Sequence, residues 1–116
     1  MSHAHLNLVV IRVRDMELAH RFYTALGLSF KKHSHGQGPQ HYAAENEGIV
    51  FEIYPAMTDA ELTSNLRLGF KVKKVAGILA QLEEIGGKLL SPAKLSPWGL
   101  RAVIGDPFGH KIELVE

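Results

Sequence analysis

An internal repeat constrains this chain more than any other feature. Arg12-Val13-Arg14-Asp15 matches Lys71-Val72-Lys73-Lys74 at an offset of 59 residues. At the same offset, Met16, Ala19, Tyr23 and Leu26 fall on Val75, Ile78, Leu82 and Ile85. Both sets recur at i, i+3, i+7 and i+10, the spacing of one buried helix stripe. Each stripe runs into a glycine, Gly27 or Gly86, the residue that most often ends a helix. Asp15 is a natural N-cap for the first helix, and Lys74 is a poor counterpart for the second. The ends of the two halves also match, at an offset of 61. Gly48-Ile49-Val50-Phe51-Glu52-Ile53-Tyr54 falls on Gly109-His110-Lys111-Ile112-Glu113-Leu114-Val115, which puts Glu52 over Glu113.

The spacing predicts strands near 6–13, 28–34, 40–46 and 48–54, then near 66–72, 88–91, 99–105 and 110–115. Helices are predicted near 15–26 and 74–85. This is one α+β domain of 116 residues in two βαβββ modules, at about 5–55 and 66–116. The polar stretch 56–65 links them, with Thr58-Asp59 as the start of a short helix. Strand alternation sorts the faces. Val9, Ile11 and Val13 belong under one helix, and Leu68, Phe70 and Val72 under the other. Opposite them lie Leu8, Val10 and Arg12, and Arg67, Gly69 and Lys71. Glu52, Tyr54, Lys111 and Glu113 join this second, mixed face. A concave face with convergent charges is the default ligand site.

Composition excludes several classes. There is no cysteine, hence no disulfide, thiolate metal site or cysteine nucleophile. A net charge of +1 with scattered basic residues offers no nucleic-acid footprint. No apolar run is long enough for a membrane span. The N-terminal MSHAHLNLVV lacks the pattern of a signal peptide, so the expected location is cytoplasmic. The loop Gly36-Gln37-Gly38-Pro39 lacks the lysine and following helix of a phosphate cradle. His33, His35 and His41 surround this loop. His33 and His35 share a face by alternation, and a glycine-rich tip favours solvent exposure. No role is assigned to these three, nor to His3 and His5, His20 in the first helix, or His110 in a turn.

The segments AHRFYTALGLSF (19–30), GIVFEIYP (48–55) and SPWGLRAVIGDPFGHKIELVE (96–116), with the repeat itself, resemble the vicinal oxygen chelate superfamily. That group contains glyoxalase I, bleomycin- and fosfomycin-resistance proteins and extradiol dioxygenases. The resemblance covers nearly the whole chain. It implies two βαβββ modules forming a curved eight-stranded mixed sheet around a cleft, with the helices outside, commonly in a homodimer. It also implies four metal-ligand positions, which fall here on Leu8, Glu52, Arg67 and Glu113. Both carboxylates are kept and both imidazole positions are lost. Leucine cannot ligate, and arginine is a fixed cation with donors only. Two carboxylates alone suit Zn²⁺ or Ni²⁺ poorly and leave only Mg²⁺ through waters open.

The expectation is therefore a small-molecule binding protein without the usual metal and with no cofactor. Two carboxylates facing one cleft repel each other. Arg67 is expected to replace the metal by pairing with Glu113, Glu52 or both, as a buried pair. Arg67, Tyr54, Trp98, Leu8 and Arg12 are the candidate ligand contacts, and Arg101 and Lys71 are read as solvated rim charges. The alternatives are enzymes. One is a metal-dependent lyase or transferase of the glyoxalase I or fosfomycin-transferase kind, using Mg²⁺, Mn²⁺, Zn²⁺ or Ni²⁺, with imidazoles from the loop histidines or a partner chain. The other is a metal-free isomerase or lyase with Glu52 or Glu113 as catalytic base and Arg67 stabilising an enolate.

Overall fold

The computed structural model describes residues 3–116. It contains β1 (Leu8–Val13), α1 (Met16–Leu26), β2 (Lys31–His33), β3 (His41–Asn46) and β4 (Ile49–Pro55). A single 3-10 turn at Asp59–Glu61 follows. Then come β5 (Arg67–Lys71), α2 (Val75–Glu84), β6 (Lys88–Ser96), β7 (Gly99–Gly105) and β8 (Lys111–Val115). The eight strands form two four-stranded mixed sheets, ordered β1-β4-β3-β2 and β5-β8-β7-β6. The repeat is visible in the register. Leu8 pairs with Val50 and Val10 with Glu52, while Arg67 pairs with Lys111 and Gly69 with Glu113.

The helices form where the apolar stripes predict, and their ends explain themselves. The Asp15 carboxylate accepts from the Leu18 amide, and Gly27 closes α1 at a φ of 126°, a conformation that penalises a side chain. Lys74 makes no cap. Instead the Glu116 carboxylate accepts from the Val75 amide at 3.0 Å, placing a negative charge at the positive end of α2. In α1 the buried residues are Ala19, Phe22, Tyr23 and Leu26, and in α2 Val75 and Leu82. Ile11, Val13, Ile53, Ile104, Ile112 and Leu114 complete a core that is fully closed to solvent.

Strand β6 is longer than the expected 88–91 and runs to Ser96. The extension carries the strand through Pro92. On an edge strand its missing amide costs no ladder hydrogen bond, and the register shifts on either side of it between Leu89 and Lys94. The proline, the shifts, and exposed Lys88 and Lys94 also protect the edge from pairing with other chains. Strand β2 is shorter than expected, with three residues.

The modules are joined through a buried polar network that the sequence did not reveal. The Asp106 side chain is fully buried. Its Oδ1 accepts from the Phe108 and His110 amides, both at 2.9 Å. Its Oδ2 accepts from the Tyr23 hydroxyl of α1 at 2.7 Å and meets His110 Nδ1 at 2.6 Å. His110 Nε2 meets the Thr63 hydroxyl at 2.7 Å, and Thr63 Oγ1 accepts from the Arg12 amide of β1. Burial pushes the Asp106 pKa up, but the hydrogen bonds from His110 and Tyr23 outweigh it and the net shift is downward. A depressed folded-state pKa stabilises the fold above the unfolded carboxyl value of about 3.9, and the gain is lost as pH falls through the folded value. Asp106→Asn should therefore lower stability at neutral pH and weaken the acid dependence of the denaturation midpoint below about pH 4. Urea titrations across that range check both effects.

Candidate functional site

The strand faces place the candidate residues as alternation predicts. On module one, Leu8 and Arg12 of β1 share the face away from the helix with Glu52 and Tyr54 of β4 and His41 of β3. On module two, Arg67 and Lys71 of β5 share the corresponding face with Lys111 and Glu113 of β8 and Arg101 of β7.

Glu113 is clamped by two guanidinium groups. Arg67 Nη2 lies 3.0 Å from its Oε1, and Arg101 Nη2 bonds the same oxygen. The hydrogen bonds from Arg101, then from Arg67, hold the Glu113 carboxyl below the usual range. A carboxylate held this way stays ionised and is a weak base. The expected Arg67–Glu113 pair is thus present, but it is not buried, since the Arg67 side chain is 51% exposed. Arg101 is no solvated rim charge: it is 28% exposed and is Glu113's second partner.

Glu52 has different company. Its carboxylate lies 3.6 Å from His41 Nε2, and the His41 side chain is only 1% exposed. Tyr54 stacks on the His41 ring with centroids 4.1 Å apart, and the Arg12 guanidinium covers the Tyr54 ring at 4.9 Å. So Arg67 serves Glu113, while a histidine serves Glu52. Leu8 stands 48% exposed at the start of β1.

The four metal-ligand positions implied by the resemblance do not fit a metal. One is a hydrocarbon, one is a permanent cation, and Glu113 is already engaged by two cations. The histidines lie elsewhere. His33 and His41 are direct cross-strand partners, and His35 follows in the turn. Their ligand atoms all lie within 4.8 Å of one another. Sequence alternation put His33 and His35 on one face, but only the β2–β3 register brings His41 opposite. His20, by contrast, stacks on Tyr42 at 4.0 Å against α1.

Two depressions flank Arg67 and Glu113. One, of about 690 Å³, is bordered by Lys71, Ser96, Trp98, Arg101, Glu113 and Val115, all from module two. The other, of about 900 Å³, opens between the modules. Leu6, Val9, Leu28, Ile49 and Phe51 give it apolar walls, and Arg67 stands at its edge. This size suits a drug-like molecule.

The Arg67–Glu113 bridge is half exposed, and such pairs contribute little. Arg67→Ala should shift unfolding stability by less than about 1 kcal/mol. A loss of about 3–5 kcal/mol in chemical denaturation, the cost of breaking a buried pair, would contradict this geometry.

Known proteins share this fold. A family model described as the Glyoxalase/Bleomycin resistance protein/Dioxygenase superfamily matches residues 5–114. Among solved structures, the antibiotic binding protein TnmS3 from Streptomyces sp. CB03234 is similar with a TM-score of 0.70 and 25% identity. The match covers 99% of this chain and 97% of that one. A glyoxalase/bleomycin resistance protein from Albidiferax ferrireducens T118 aligns at TM-score 0.73 and 21% identity, over 94% and 95% of the two chains. The bleomycin-binding protein of Streptomyces verticillus, solved with copper(II)-bleomycin, aligns at 0.60 and 17%, over 99% and 98%. No curated protein sequence matches the chain.

Proposed function

Since this chain belongs to the glyoxalase/bleomycin resistance protein/dioxygenase superfamily, we propose that it binds a small molecule, without a metal at the superfamily's ligand positions. One observation carries the reading. Arg67 and Arg101 neutralise Glu113 where a divalent ion would otherwise do so. The cluster of two guanidinium groups and one carboxylate keeps a surplus positive charge, beside an apolar cavity of about 900 Å³. A ligand that is largely apolar and carries one acidic group matches both features. Arg67, at the cavity's edge, would take the acidic group, and Arg101 and Trp98 border the adjoining depression on the far side of the pair, where Trp98 would offer aromatic surface. Leu8 and Arg12 lie on the other face of β1 from Val9 and border neither depression. Antibiotic binding by TnmS3 and by the Streptomyces verticillus protein supports the same class of activity.

Trp98, the sole tryptophan, is 75% exposed beside Arg101 and reports binding directly. Titrating metal-free bleomycin and a panel of aromatic carboxylates should give saturable quenching for at least one compound, with no turnover. Arg67→Ala should weaken that binding about 10–100-fold, the loss of one charge-assisted hydrogen bond. Turnover that requires added metal would replace this reading with a lyase or transferase.

The Glu52–His41 contact favours a second reading, the metal-free isomerase or lyase. Glu52 carries no arginine clamp, whereas both Arg67 and Arg101 engage Glu113. Conversion of a bound compound that is lost in Glu52→Gln and kept in Glu113→Gln would establish it.

The chain is further proposed to work as a homodimer. Leu89, Leu90 and Leu95 of β6 and Trp98 of the β6–β7 turn are exposed apolar side chains that a partner chain would cover. Sedimentation equilibrium should give twice the chain mass, and a single-chain mass at micromolar concentration refutes this.

A further inference from the structure

Outside the Arg67–Glu113 cluster, the β2–β3 hairpin carries a group of side chains with chemistry of its own. His33, His35 and His41 converge, with ring centroids 4.4 Å apart for His33 and His41, 4.9 Å for His33 and His35, and 5.2 Å for His35 and His41. Among the described residues, this is the group of three ligating side chains that comes within metal-binding reach. We propose that His33, His35 and His41 bind a transition-metal ion of the Zn²⁺, Ni²⁺ or Cu²⁺ class. The position is distinct from the four discussed above, and the inference is independent of the ligand reading.

Three features support it. First, the ligands are imidazoles, which suit these ions better than carboxylates do. Three such ligands leave one tetrahedral position open, as in catalytic zinc sites. Second, His41 is oriented. Its Nδ1 is 3.3 Å from the Pro39 carbonyl, which can accept the Nδ1 proton and leave the Nε2 lone pair for a metal. The Glu52 carboxylate, 3.6 Å from Nε2, supplies a compensating charge. Third, the geometry needs little adjustment. Zn–N bonds of about 2.0–2.1 Å space tetrahedral ligands about 3.3 Å apart. The histidine atoms are spread over no more than 4.8 Å. His41 and His33 are fixed across the strand pair, and His35 precedes Gly36, whose φ of 58° places it in the turn. Tightening the turn around His35 closes the set without moving the sheet.

A purely structural role is the competing explanation, because histidine rings also pack edge to face. The two differ in what the exposed members do. His35 is exposed and His33 half-buried, so replacing either leaves the core intact. His3 and His5 are exposed imidazoles that compete for metal. The test therefore uses an untagged chain carrying His3→Ala and His5→Ala. Co²⁺ is titrated by its visible d–d absorption, with circular dichroism to verify each fold. The expected result is one Co²⁺ per chain, displaced by Zn²⁺. In His33→Ala or His35→Ala, affinity should fall by at least about 100-fold, more than loss of an outer-shell partner causes. Glu113→Gln should bind as the parent does. Absence of saturable Co²⁺ binding would overturn the proposal. So would binding that survives both histidine variants, or that depends on Glu113 instead.

Discussion

The buried Asp106 carboxylate is the interaction on which the rest of the structure depends. It sits in the turn between β7 and β8, yet one of its four donors comes from α1 of the other module. A carboxylate with no solvent access persists only when its lone pairs are filled. Here Tyr23, His110 and two turn amides fill them, and Thr63 continues the chain of contacts to the backbone of β1. Because Tyr23 reaches Asp106 from α1 and Thr63 reaches His110 from the connector, the network fixes how α1, the connector and the second module meet. Apolar contacts such as Tyr23 with Phe51 and Phe70 fill the space around it but give no comparable directional constraint.

With the modules fixed, the remaining polar faces have a shared problem and two solutions. Glu52 and Glu113 occupy equivalent positions, each on the central pairing of a parallel and an antiparallel strand. A half-buried carboxylate needs a compensating charge. Module two supplies two arginines, which cannot lose their protons and hold the Glu113 carboxyl below its usual range. Module one supplies His41, whose charge depends on protonation. The same scaffold position thus carries a fixed electrostatic element in one half and a group suited to ligation or proton transfer in the other. This asymmetry places the charge-binding features beside Arg67 and the imidazole features on the β2–β3 hairpin.

Much of this was legible from particular residues. The 59-residue offset between Arg12 and Lys71 placed both helices, and the match of Glu52 with Glu113 placed both closing strands. Alternation put Leu8, Glu52, Arg67 and Glu113 on the faces they occupy. The misreadings have physical causes. The strand expected near 88–91 runs on through Pro92 to Ser96, because edge position, which tolerates a proline, is a property of the sheet and not of the segment. Arg101 looked solvated, because its partner is reached only across the β7–β8 register. His110 looked like an ordinary turn residue, because its partner Thr63 lies far away in sequence.

The sequence by itself determined the periodic features: two βαβββ modules, the apolar stripes and the side of each strand that faces its helix. These follow from backbone repeats of 2 and about 3.6 residues, which act over a few positions at a time. Only the tertiary structure decided which side chains meet. Arg101 reaches Glu113, Tyr23 reaches Asp106, Glu116 caps α2, and His41 joins His33 and His35. Each depends on strand register or module packing. Both are set by the whole core at once, so no local pattern encodes them.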